Sequence, residues 1–325
     1  MENEVWVGRA RRSAVAGFLA WGLAMLGRAP FEVPNLLVLL AATTAVPLGL
    51  ALSRTGASSP VPLAYRLAVR AGLPASCAAL AGHLLPVGPL AFALALPWLS
   101  TTALVAFAGL PLLHARGLPL EERAIGAAHV YLPVGAIWLA ASRLGVPLLG
   151  FHEPIVVMTA AHFHFAGFAA PLVCGLLGRA LPQKGVLYKI TAILVVLGIP
   201  MVAAGIQGSR IVERASGSLL GFAMLLLAGQ LALGMGPRAL ATRSLQGAGA
   251  ALLFVIAATA LLGSMSLAVI FANTGSAGRG AEEVPLISIG TMVALHGTAN
   301  ALGFALPSLV AFTLLDLQRA RPPAR

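Results

Sequence analysis

The sequence is poor in charge: only 10% of its 325 residues are Asp, Glu, Lys or Arg. A soluble domain carries roughly a quarter. There is too little polar surface here to solvate a globule, so the two soluble domains that the length alone would allow are excluded. Cysteine is nearly absent. Cys77 and Cys174 both lie in apolar stretches, which rules out a disulfide framework, a Cys-x-x-Cys redox pair and a zinc knuckle. Carboxylates at depth are missing as well, because nearly all the Asp, Glu, Lys and Arg residues fall at the ends of apolar runs. No small-residue cleavage pattern stands out after the charged N-terminus. The first apolar run is therefore expected to be a retained span and not a removed leader.

What remains is apolar. Hydrophobic residues make up 59% of the chain and the mean hydropathy is +0.92. A bilayer core needs about 20 apolar helical residues per crossing, and lipid tolerates no open backbone polar groups. Each apolar run therefore predicts a helix. Ten runs occur, at about 13–28, 33–53, 63–84, 88–113, 124–142, 154–178, 186–207, 215–236, 247–272 and 286–315. The connections are short, the longest running from Asn273 to Pro285. The expectation is an all-α polytopic bundle forming one integral membrane domain over 1–325, with no soluble domain.

The net charge of +11 would point to nucleic acid or an acidic partner in a soluble protein. Here its placement gives another reason. With the N-terminus inside, the inner segments hold sixteen of the 21 basic residues, among them Arg9, Arg11, Arg12, Arg54, Arg66 and Arg70. The outer segments hold Arg28, Arg143, Arg210, Arg214 and Arg279. That asymmetry is the positive-inside pattern. It predicts both termini in the cytoplasm of a bacterial cell, a plasma (inner) membrane location, the lipid bilayer as partner and no nucleic acid.

Glycine (36) and proline (22) are plentiful, and both are tolerated in packed membrane helices. Pro47, Pro97, Pro133, Pro171, Pro200 and Pro307 fall inside apparent spans. They either shape their helices or open hinges and polar cavities.

Ionisable groups inside a membrane are costly and mark functional sites by default. The deep candidates are histidines. One cluster is Thr159-Ala-Ala-His162-Phe-His164-Phe-Ala-Gly167-Phe in the sixth run, and the other is His296-Gly-Thr-Ala-Asn300-Ala-Leu-Gly303-Phe in the tenth. At 1.5 Å per residue, His162, His164 and His296 share a level about 12–16 Å below the outer boundary. His162 and His164 are separated by about 200° around a helix, so they do not easily ligate one ion unless the helix unwinds. His296 and Asn300, four apart, share a face. Gly167-Phe-Ala-Ala-Pro171 matches Gly303-Phe-Ala-Leu-Pro307, placing His164 opposite Asn300 and hinting at a pseudo-repeat. His129 and Tyr131 lie in the inner part of the fifth run. His152 and Glu153 at the outer start of the sixth, grouped with Tyr131 as a candidate entry or proton site, offer an entry site, a metal relay or a proton port, or else a solvated loop. Structural, hydrogen-bonded histidines are the plain alternative throughout.

These motifs, together with Tyr131-Leu-Pro133-Val-Gly135 and Trp138, resemble the YndJ-like family of bacterial membrane proteins. The resemblance covers about 131–304 by motif and most of the chain by hydropathy, and it implies a polytopic membrane protein without implying a mechanism. Ala161-His162-Phe-His164-Phe is also similar to the two-histidine helix of haem-copper oxidase subunit I, where the histidines serve opposite sides of one helix. The copper-binding His-x-x-x-Tyr-His-His arrangement is missing.

Three functions follow as expectations. The first is a membrane-embedded redox or metal site binding haem, copper or zinc, His162 or His164 pairing with His296 or His129, and Asn300 orienting an imidazole. The second is a secondary or proton-coupled transporter whose same histidines bind a small molecule or ion at the midplane. The third is a lipid or isoprenoid enzyme using activated water, for which Glu153 is the only nearby carboxylate.

Overall fold

The computed structural model describes residues 2–26, 32–57, 59–275 and 286–319. Every apolar run becomes a helix. In chain order these are α1 (Glu2–Leu26), α2 (Val33–Arg54), α3 (Leu63–His83), α4 (Pro89–His114), α5 (Leu120–Leu144), α6 (Ile155–Ala180), α7 (Val186–Gly208), α8 (Arg210–Leu240), α9 (Leu245–Thr274) and α10 (Ile289–Gln318). Eight of them, all but α1 and α3, are long and apolar enough to cross a membrane. Among the described residues there is no strand, and one isolated bridge joins Leu148 to Phe151 between α5 and α6. Arg28 and Arg279, and most of the connection from Asn273 to Pro285, lie outside the described residues.

Most helices begin and end within a few residues of the apolar runs. α1 departs furthest, because its helix starts at Glu2 and includes a charged first half. Hydropathy does not mark that half, since polar contacts hold it. Asn3 Nδ2 donates to the carbonyls of Arg54 (2.8 Å) and Ala57 (3.2 Å), covering the end of α2. The Arg70 guanidinium lies 5.0 Å from the Trp6 ring centre, and Arg66 pairs with Glu2 at 3.3 Å. Glu2 and Glu4 in the first turn suit the positive end of the helix dipole.

By internal packing the chain divides into two units, Met1–Leu172 and Val173–Arg325, with the boundary inside α6. In the first unit α2 is the most enclosed helix. Close helix approach there depends on glycine. A Cβ on Gly49 would lie 2.6 Å from Leu172 Cδ2 and 2.7 Å from the Phe168 ring. Gly17 lies against the Thr43 backbone and Gly109 against His129 in the same manner. In the second unit Gly303 of α10 leaves room for Ala260 of α9, whose Cβ would sit 2.5 Å from an added one.

Four helices share a further device. α2, α6, α8 and α10 each contain a stretch of wider π-helical turns: Ala41–Ala45, Phe163–Ala169, Gln230–Met235 and Ala299–Ala305. Each stretch closes on a backbone N–H reaching back five residues, from Val46 to Ala41, Ala170 to Phe165, Gly236 to Leu231 and Leu306 to Ala301. The next residue is in each of these four a proline: Pro47, Pro171, Pro237 or Pro307. A fifth stretch, Met292–Gly297 in α10, is followed by Thr298 and Ala299 and has no proline. In the four the cause is steric. In an α-helix the proline ring collides with the carbonyl four residues back, and one wider turn moves that carbonyl aside while keeping the helix continuous. Pro97, Pro133 and Pro200, by contrast, lie in ordinary α-helix. The stretches in α6 and α10 coincide under the sequence match of 167–171 with 303–307, so the pseudo-repeat has a structural counterpart.

Candidate functional site

The wider turns carry the polar side chains at depth. His164 sits second in the α6 stretch and is fully buried. Its Nδ1 lies 2.8 Å from the Ala160 carbonyl. A carbonyl only accepts, so Nδ1 bears the hydrogen. Nε2 then accepts the indole N–H of Trp98 on α4 at 3.0 Å, and the two rings stack with centres 6.0 Å apart. Gly135 of α5 makes the space, because a Cβ there would lie 2.6 Å from His164 Nδ1. Both imidazole nitrogens are thus engaged, and the ring is a neutral, fixed tautomer.

His296 and Asn300 of α10 form a second cluster with Ser264 of α9. His296 Nδ1 donates to the Ser264 carbonyl at 2.8 Å. Asn300 Nδ2 donates to the His296 carbonyl at 2.8 Å and lies 3.3 Å from His296 Nε2. Ser264 Oγ faces Asn300 Oδ1 at 3.4 Å and the Leu261 carbonyl at 3.5 Å. The i, i+4 reading of His296 and Asn300 therefore corresponds to a direct contact. Both side chains are half-buried, unlike His164.

A third group has the same construction in α8. Gln230 Nε2 donates to the Leu226 carbonyl at 3.1 Å and to Thr191 Oγ1 of α7 at 2.7 Å. His164, Gln230 and Asn300 each stand seven residues before the proline. Each donates to the carbonyl four residues back and reaches a side chain of a neighbouring helix.

The other sequence candidates are placed as follows. His162 is exposed, on the opposite side of α6 from the buried His164, in keeping with their spacing. His129 is buried and stacks on Phe168 with ring centres 6.3 Å apart. Tyr131 is half-buried, its Cβ 3.4 Å from where one on Gly167 would lie. His152 and Glu153 are exposed. Glu153 Oε2 accepts the Val157 N–H at 3.1 Å, so it serves the start of α6.

As a metal or haem centre the arrangement fits poorly. His164 and His296 each have both ring nitrogens within hydrogen-bonding distance of a protein partner. Among the described residues no three His, Cys, Asp or Glu side chains come together as a ligand set. Sequence reasoning missed Trp98, Ser264 and Gln230's partnership with Thr191, since these partners are remote in the chain. Trp98 had one signal: it lies nine residues into its helix, away from the interfacial belt where membrane tryptophans concentrate.

Fold and composition define a polytopic α-helical membrane protein with hydrogen-bonded polar clusters inside its helices. Comparison with known proteins narrows the class. The model of the YndJ-like protein family matches residues 36–304, and the chain belongs to that family. It is 26% identical over 219 residues to the membrane protein YndJ of Bacillus subtilis (strain 168), an alignment covering 67% of this chain and 38% of that protein. The chain thus corresponds to well under half the length of this relative. No solved structure matches.

Proposed function

We propose that the chain is a membrane carrier that binds a small polar solute at the His296–Asn300–Ser264 cluster. The observation that carries this reading is the cluster's half-buried position within a span. A purely structural polar pair gains most when sealed, as His164 and Trp98 are. Asn300 instead leaves part of its surface accessible next to a proline-adjacent wide turn. Irregular helix at membrane depth is tolerated where it lines a cavity or packs in protein, and interrupted helices supply the binding sites of many carriers. The four proline-adjacent turns would act as hinges. A bacterial plasma-membrane location with both termini cytoplasmic completes the reading, on the charge asymmetry alone.

The test is uptake by proteoliposomes containing the purified chain, across radiolabelled amines, amino acids, sugars, organic acids and monovalent cations. A solute accumulated by the wild type and lost in Asn300→Leu and His296→Ala supports the carrier. Absence of flux across the whole panel overturns it.

A further inference from the structure

We propose that the His296–Asn300–Ser264 cluster selects a monovalent cation, inorganic or a small primary ammonium. The inference rests on the carrier reading for its role in transport but not for binding. It comes from which hydrogen-bonding valences remain open. His296 has its one N–H committed to the Ser264 carbonyl, and its Nε2 lone pair faces an Asn300 N–H. Both Asn300 Nδ2 hydrogens point at acceptors, the His296 carbonyl and Nε2. That contact with a carbonyl also fixes the carboxamide orientation, since only the nitrogen can donate to it. The Ser264 hydroxyl hydrogen is shared between two oxygens at 3.4 and 3.5 Å. No donor in the cluster is left over.

Oxygen lone pairs are left over. Asn300 Oδ1 has one long contact, and Ser264 Oγ accepts nothing from the cluster. The cluster therefore offers neutral oxygens and no donors, within helices long and apolar enough to cross a membrane. An anion finds nothing to hold it there. A cation finds the carboxamide oxygen of Asn300 and the hydroxyl oxygen of Ser264, neutral oxygens of the kind that hard cations take as ligands. Gln230 repeats the pattern: both its N–H bonds are spent on Leu226 and Thr191, leaving Oε1 as the open atom.

The experiment is thermal unfolding of the full purified chain in detergent, in choline chloride exchanged stepwise for sodium, potassium or methylammonium chloride, with a parallel series varying the anion. A saturable rise of Tm with one cation and none with the anions is expected. The concentration giving half the rise should increase about tenfold in Asn300→Leu and several-fold in Ser264→Ala, which keeps the Asn300–His296 contacts. Asn300→Asp, which keeps the oxygen and adds charge, should bind at least as well as wild type. Absence of any cation-specific shift overturns the proposal. So does a shift unchanged in both Asn300→Leu and Ser264→Ala, or stabilisation by anions. Binding without flux in proteoliposomes retires the carrier alone. Flux of an anionic solute without cation binding retires the selectivity alone.

Discussion

Trp98 and His164 make the sharpest energetic case. Replacing Trp98 by Phe removes the indole N–H that the buried Nε2 of His164 accepts at 3.0 Å. No water reaches that nitrogen, since His164 is fully buried. Leaving a buried acceptor unmet costs about 1–3 kcal/mol, and the smaller ring adds a packing loss. Replacing His164 by Leu breaks the same contact from the other side and also removes the bond to Ala160. When both partners become apolar, the unmet-acceptor cost disappears, so the double variant should be more stable than the sum of the two singles. Interhelical hydrogen bonds in membranes average about 0.6 kcal/mol with a maximum near 1.7. This pair, sealed and stacked, should lie in the upper part, with a coupling of about 1–1.7 kcal/mol. The assay is reversible unfolding in mixed micelles by titration with SDS, applied to the four members of the cycle. Nitrogen NMR of histidine-labelled protein adds a readout that packing alone does not move. Wild-type His164 should show the Nδ1–H tautomer, with an Nε2 shift that changes in Trp98→Phe. A coupling below about 0.5 kcal/mol, together with an unaltered Nε2 resonance, would refute the assigned bond.

Gly135→Ala places a methyl 2.6 Å from His164 Nδ1 and 3.1 Å from the Ala160 carbonyl, and should destabilise by about 1–3 kcal/mol in the same titration. Gly49→Ala meets Leu172 and Phe168 just as closely and should cost a similar amount, whereas Gly72→Ala meets nothing within 4 Å and should be near neutral. Glu2→Gln removes an exposed ion pair with Arg66 and should change stability by less than about 1 kcal/mol. Because both nitrogens of His164 are engaged, His164→Ala should leave the metal content and visible absorbance of purified protein unchanged, checked by elemental analysis and spectroscopy. A band or bound metal lost in that variant would restore the ligand role.

Much of the helix plan was legible because the bilayer imposes it. A span is a run of about 20 apolar residues whatever it packs against, so runs such as 33–53 and 186–207 differ from α2 and α7 only at the last residue. The charged half of α1 was not legible, since its helix depends on Asn3, Trp6 and Glu2 meeting residues of α2 and α3. The candidate site was half legible. Four-residue spacing predicted the shared face of His296 and Asn300, and the 200° separation predicted that His162 and His164 would part.

The sequence by itself determined the solvent this protein lives in, the number of its helices and the chemical types of its few deep polar residues. All of these follow from local hydropathy and helical periodicity. Only the tertiary structure decided what those residues do for one another. The choice between a sealed histidine and an accessible one depends on Trp98 standing 66 positions before His164 and Ser264 standing 32 before His296. The wide turns needed both levels. Proline supplied the steric cause locally, but Pro97, Pro133 and Pro200 lie in ordinary helix. In α6, α8 and α10 the wide turn coincides with a polar side chain anchored to a neighbouring helix. Hydrogen-bond partners are chosen by packing, and packing is not written in any one helix.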